Sequence, residues 1–99
     1  MRLPKKNVVM TKKLAPTNKY IEFMDDLNPE ALYPTGFEDA ITGVVSKDGT
    51  DIFTVSTRKC IDILMKRDGM TWEEAADFFE YNIHGSYMGK HNPAYDHDL

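Results

Sequence analysis

The order of elements along this chain predicts an α+β fold: an antiparallel hairpin or three-stranded sheet packed against two C-terminal helices, with a short N-terminal helix. Three observations carry that expectation. Two runs rich in Val, Ile, Phe and Thr, Ala40 to Ser46 and Asp51 to Ser56, flank Asp48-Gly49, a preferred two-residue hairpin turn. Two stretches with helical periodicity and their own start and stop signals follow directly. The length of 99 residues suits one domain with a modest core.

Taken in order, Met1 to Pro16 reads as a basic arm, residues 17–99 as the domain. Within the arm, Asn7 to Thr11 carries Val8 and Val9 and predicts an edge strand or an extended segment. Thr17 is placed to cap a short helix in which Tyr20, Phe23, Met24 and Leu27 share a face, and Asn28-Pro29 stops it. From Asn28 to Phe37, Pro29, Pro34 and Gly36 interrupt any longer element and predict loop. The Asp48-Gly49 turn then sets a hairpin register in which Val45 faces Ile52 and Val44 faces Phe53. A two-stranded ribbon is marginal in water, so a helix must cover at least one side of it.

Ser56 or Thr57 caps the next helix, where Ile61, Leu64 and Met65 form a stripe with Cys60 beside it, and Asp68-Gly69 ends it. Thr71 followed by Glu74 is a capping box that starts the last helix at Trp72. Inside that helix Trp72, Ala75, Ala76, Phe79 and Ile83 recur at core spacing. Glu73, Asp77, Glu80 and His84 line a neighbouring row, and Gly85 is the expected left-handed stop. The expected core is therefore Trp72, Phe79, Ile83, Ile61, Leu64 and Phe53. Phe78 and Tyr81 fall on neither row and need cover from the chain or from a partner. The tail from Gly85 to Leu99 has no periodicity, but its tyrosines predict that it packs back over the helices at Phe78 and Tyr81.

Composition narrows the function classes. With 41% hydrophobic residues, 11% of the chain being aromatic, wholesale disorder is excluded. The opening MRLPKKNVVMTKK lacks the apolar core of a signal peptide and no run is long enough to span a bilayer, which predicts a soluble protein without membrane partners. Cys60 is the single cysteine, so no internal disulfide forms and a reducing compartment is expected. Charge is divided unevenly. Met1 to Tyr20 holds six Lys or Arg and no acid, while the remainder holds the other six basic residues and all sixteen acidic ones. Arg2, Lys5, Lys6, Lys12 and Lys13 either contact nucleic-acid phosphates or stay solvated along the acidic body of the chain.

The segment RDGMTWEEAADFFEYNIHGSYMGKHNP, preceded by a hairpin and a helix, resembles a family of small proteins encoded by tailed bacteriophages and prophages. The resemblance spans about Phe37 to Pro93 and leaves out the basic arm. It implies a viral origin, expression in the cytoplasm of a bacterial host, and the binding and modulation of a host factor, including a defence component. It brings no enzymatic activity and no cofactor with it.

Among sites for chemistry, the chain has no glycine-rich phosphate loop, no G-x-S-x-G elbow and no H-E-x-x-H pair. Its best ligand set is Glu80 and His84, one helical turn apart, with Asp77 before them and His91, Asp96 or His97 from the tail; such a set suits a metal-dependent hydrolase or nuclease. The stronger expectation is a protein without catalytic residues that binds a protein partner or itself. Phe78, Tyr81, Tyr87 and Tyr95 would supply the contact and Asp77 and Glu80 the charge.

Overall fold

The computed structural model describes residues 10–12, 18–85 and 89–96, the first of these segments as backbone only. Strand β1 (Met10–Lys12) pairs antiparallel with β2 (Leu32–Pro34), Thr11 opposite Tyr33. A second, mixed sheet runs in the order β3 (Ile41–Lys47), β4 (Thr50–Ser56), β5 (Ala94–Asp96). Helix α1 (Lys19–Leu27) precedes β2, and α2 (Thr57–Asp68) and α3 (Trp72–Phe78) join β4 to β5. The α+β expectation, short N-terminal helix included, is met.

The hairpin forms as its sequence dictates. Asp48 and Gly49 both take positive φ, 52° and 80°, the geometry of a two-residue turn whose twist matches the flanking strands. Val44 lies opposite Phe53 and Val45 opposite Ile52, and Thr42 is the extra residue of a bulge near the start of β3. The core lies on the sheet face that presents Phe53, Val55 and Tyr95, against Ile21 and Met24 of α1, Cys60, Ile61 and Leu64 of α2, and Phe78, Phe79 and Ile83 beyond them.

Several elements depart from expectation. Asn18, not Thr17, caps α1, its Oδ1 accepting from the Tyr20 N–H at 2.8 Å; Thr17 lies outside the described residues. The buried face of α1 is Ile21 and Met24, leaving Phe23 57% exposed and Leu27 on the surface. Within Asn28 to Phe37, β2 forms after all, and Tyr33 is buried edge-on against Phe53 with ring centroids 5.7 Å apart. Proline does not prevent this strand, because Pro34 is its last residue. Strand β1 overlaps the expected Asn7 to Thr11 segment at Met10 and Thr11, where it pairs with β2; Asn7, Val8 and Val9 lie outside the described residues.

The tail also behaves differently. It enters the sheet as β5, parallel to β4, with Val55 opposite Tyr95 and Ser56 opposite Asp96. A parallel neighbour requires a long crossover, and α2 with α3 supplies it. Asp96 then serves the helix that begins the crossover: its Oδ1 accepts the Thr57 N–H at 3.2 Å and its carbonyl accepts the Thr57 hydroxyl. Upstream of β5, Asn28 binds the tail to the rest of the fold. Its Nδ2 donates to the Asp51 carbonyl at 2.8 Å and lies 3.1 Å from His91 Nδ1, while the Leu32 N–H donates to the His91 carbonyl at 3.0 Å.

Candidate functional site

The acidic and aromatic helix has the predicted start. Thr71 Oγ1 accepts the Glu74 N–H at 3.2 Å and Glu74 Oε1 accepts the Thr71 N–H at 2.9 Å, the two halves of a capping box. Regular α geometry then holds only to Phe78, and Phe79–His84 forms a wider π-helical turn. Gly85 does not adopt the left-handed conformation; its φ is −77°, and its N–H donates to the Glu80 carbonyl at 3.1 Å. A Cβ there would stand 3.2 Å from the carbonyl oxygens of both Glu80 and Tyr81, so the glycine is needed for space in the wide turn.

The buried row is displaced from the predicted one. Ala75, Phe78, Phe79 and Ile83 face the core, with Phe78 only 4% exposed, which removes it from any surface contact. Trp72 shares an angular position with Phe79 but stands two turns nearer the start. There it overhangs the edge of the domain, and Met70 fills the core instead; the indole is 51% exposed and is no part of the core cluster. Phe79, Ile83, Ile61, Leu64 and Phe53 are buried as expected.

On the outer face of the helix stand Glu73, Asp77, Glu80 and His84, with Tyr81 79% exposed. His84 Nδ1 pairs with Glu80 Oε2 at 3.1 Å, and its ring stacks on Phe79 at 6.0 Å. Tyr95 does not extend this surface. It lies edge-on to Phe79 at 5.4 Å and to His84 at 5.9 Å, with its hydroxyl buried and without a hydrogen-bond partner among the described residues. Burial pushes its ionisation well above that of an ordinary tyrosine, and nearby Cys60 adds to the shift.

The possible metal ligands are scattered. Among the described residues no three His, Cys, Asp or Glu side chains come together. His91 faces Asn28, and Asp96 is committed to Thr57. His97, Tyr87, Arg2, Lys5, Lys6 and Lys13 lie outside the described residues, and of Lys12 only the backbone is described. Among the described residues no helix is long and apolar enough to cross a membrane.

What sequence reading missed is a groove of about 530 Å³ between α2 and the start of α3, lined by Arg58, Lys59, Ile61, Asp62, Met65 and Trp72. The signal was present in the chain. Arg58, Asp62 and Met65 recur at helical spacing on one side of α2, and a residue at the first position of a helix can overhang the core. A second cleft of about 500 Å³ sits at the sheet edge, where Thr50 and Ile52 diverge from Lys90 and Asn92. Comparison with protein-family models, with curated proteins and with solved structures gave no match for this chain.

Proposed function

We propose that the protein works by binding another protein through the outer face of α3 and the groove beside it, with no chemistry of its own. One observation carries this reading: Trp72 and Tyr81, two large aromatic side chains of one helix, stand half or more in solvent, and Trp72 also lines the groove beside α2, where Ile61 and Met65 lie among charged side chains. Exposed aromatics of this type supply most of the contact energy where interfaces form, because each buries a large rigid area at small entropic cost. Asp77 and Glu80 beside them set the sign of the charge a partner must offer. The resemblance to tailed-phage proteins supports a setting in the cytoplasm of an infected bacterium, and a host factor or defence component is then a natural partner. Arg2, Lys5, Lys6, Lys12 and Lys13 carry a charge suited to nucleic-acid phosphates.

The test is affinity capture of partners with the full chain and with Trp72→Ala, Tyr81→Ala and the control Phe23→Ala. Phe23 is as exposed as Trp72 but lies on α1. Recovery should fall at least tenfold for the first two substitutions and hold for the control. Equal recovery from all three would dispose of this surface.

A further inference from the structure

The two edges of the larger sheet are not alike. One is β5, three residues long. The other is β3, whose outer side no strand covers among the described residues. Which of its backbone groups face outward follows from the turn. Lys47 and Thr50 close a two-residue turn and so bond to each other, and bonded and non-bonded pairs then alternate along the ladder. Lys47 and Val45 therefore direct their N–H and C=O groups at β4, whereas Ser46 and Val44 turn theirs outward. The Asp51 carbonyl fits this phase: opposite Ser46, it points away from β3 and accepts from Asn28 Nδ2 at 2.8 Å. Among the described residues no hydrogen bond reaches the outward groups of Val44 and Ser46.

Sheet edges left open in this way are normally guarded by charge, proline or a bulge. Strand β3 has its bulge at Thr42 and its one charge at Lys47; between them Gly43, Val44, Val45 and Ser46 carry no guard, and Val45 and Ser46 are exposed. We propose that this edge pairs with the same edge of a second copy of the chain, antiparallel about a two-fold axis at Val45, which joins two three-stranded sheets into one. The contact shares no residue with the α3 surface and does not rest on it.

Phase and sequence together select the register. Val44 of each copy meets Ser46 of the other, and such a pair exchanges two hydrogen bonds. The axis makes that pair twice. Val45 meets itself, a β-branched pair at the closest cross-strand spacing. Lys47 meets Gly43, which has no side chain, so the one charge of the strand faces no like charge. An axis at Val44 would carry Ser46 to the bulge at Thr42, and one at Ser46 would set Val44 against Asp48 in the turn; either leaves a single bonded pair. This fit favours a copy over a foreign strand, which would have to supply a small residue opposite Lys47 and an apolar one opposite Val45. The stretch from Gly43 to Lys47 is about 17 Å long. Such a contact falls short of the roughly 1,200–2,000 Å² that a stable interface buries, so the dimer is weak and forms at high concentration.

Sedimentation and light scattering of the full chain up to millimolar concentration test this, with amide exchange followed by NMR in parallel. The mass should rise from one chain towards two. Exchange at Val44 and Ser46 should slow in step, while Val45 and Lys47, bonded to β4 in either state, change little. Because Val45 meets itself, Val45→Lys and Val45→Glu should each be monomeric where the natural chain is dimeric, and an equimolar mixture should recover the dimer. Ser46→Pro removes an outward N–H without touching the bonds to β4 and should also be monomeric. Circular dichroism will show that each variant keeps the fold. Trp72→Ala should dimerise as the natural chain does.

A monomer at every concentration overturns the proposal. So does a dimer that survives both Val45→Lys and Ser46→Pro, that forms without slowing exchange at Val44 and Ser46, or that Trp72→Ala abolishes. Capture of another protein through Trp72 and Tyr81 is measured separately, so that reading and this one can fail independently.

Discussion

The two neighbours of β4 reach it by opposite routes. On one side β3 is joined by a two-residue turn, and its register follows from Asp48-Gly49 and the alternation of Val44 and Val45. On the other side β5 arrives after the whole α2–α3 crossover, pairs over only three residues, and has no turn or periodicity to fix it. Side chains do that work instead: Asp96 on Thr57, Tyr95 against Phe79, and Asn28 on the chain at His91. A strand held by local geometry tolerates the loss of a contact, whereas one held by distant side chains depends on each of them. Hydrogen exchange should therefore open β5 before β3.

The most damaging way to probe the distant side is at Phe79. Its ring is buried beneath β5, edge-on to Tyr95 and stacked with His84. Phe79→Ala should lower the unfolding free energy by about 3–5 kcal/mol, the cost of emptying a large core site. Trp72→Ala, on the same helix but half exposed, should cost less than about 1 kcal/mol. Urea unfolding of both variants makes the comparison. Similar losses would mean that Trp72 shares the core after all.

A smaller effect is expected at Asn28. Its amide serves the Asp51 carbonyl and lies within reach of His91, and its Oδ1 accepts the Glu30 N–H at 3.1 Å, so one side chain joins α1, β4 and the tail. Asn28→Ala should cost about 1–3 kcal/mol, the range for leaving partly buried polar groups unpaired, and should raise exchange in β5 more than in β3. Equal exposure of both strands would show that the sheet opens as one unit.

That contrast also explains what could be read from the chain. The hairpin, the stop of α2 and the capping box of α3 were legible because each depends on residues a few positions apart. The parallel strand was not, since nothing in Ala94–Asp96 announces a partner across the crossover. The helix faces were legible to within about one residue. Phe78 is buried because it lies three residues after Ala75, on the same side of the helix, while Trp72 is exposed because periodicity gives an angle around a helix and not the distance to the edge of the core. For the same reason the exposed acidic row and Tyr81 were visible in the sequence, while the groove beside Trp72, which needs two helices set side by side, was not.

The smallest expected effect, and the one that isolates β5 most cleanly, concerns the Tyr95 hydroxyl. It is buried, has no hydrogen-bond partner among the described residues, and ionises well above the ordinary tyrosine value of 10.0 because burial disfavours the phenolate. Removing an unpaired buried hydroxyl relieves a desolvation cost, so Tyr95→Phe should be neutral or stabilising by about 1 kcal/mol at neutral pH. The pH dependence carries the opposite sign from that of a paired carboxylate. In the unfolded chain Tyr95 loses its proton near pH 10 while the folded chain still holds it, so between those two ionisations the folded state binds more protons. Stability contributed by the neutral phenol is complete below about pH 10 and is lost as pH climbs towards the folded value, at no more than about 1.4 kcal/mol per pH unit. The difference between the natural chain and Tyr95→Phe is what reports this group. Urea unfolding of the two proteins from pH 8 to 11 should show the natural chain falling away more steeply above pH 10. Parallel curves would mean that the hydroxyl reaches water and that β5 is not closed over the core at Tyr95.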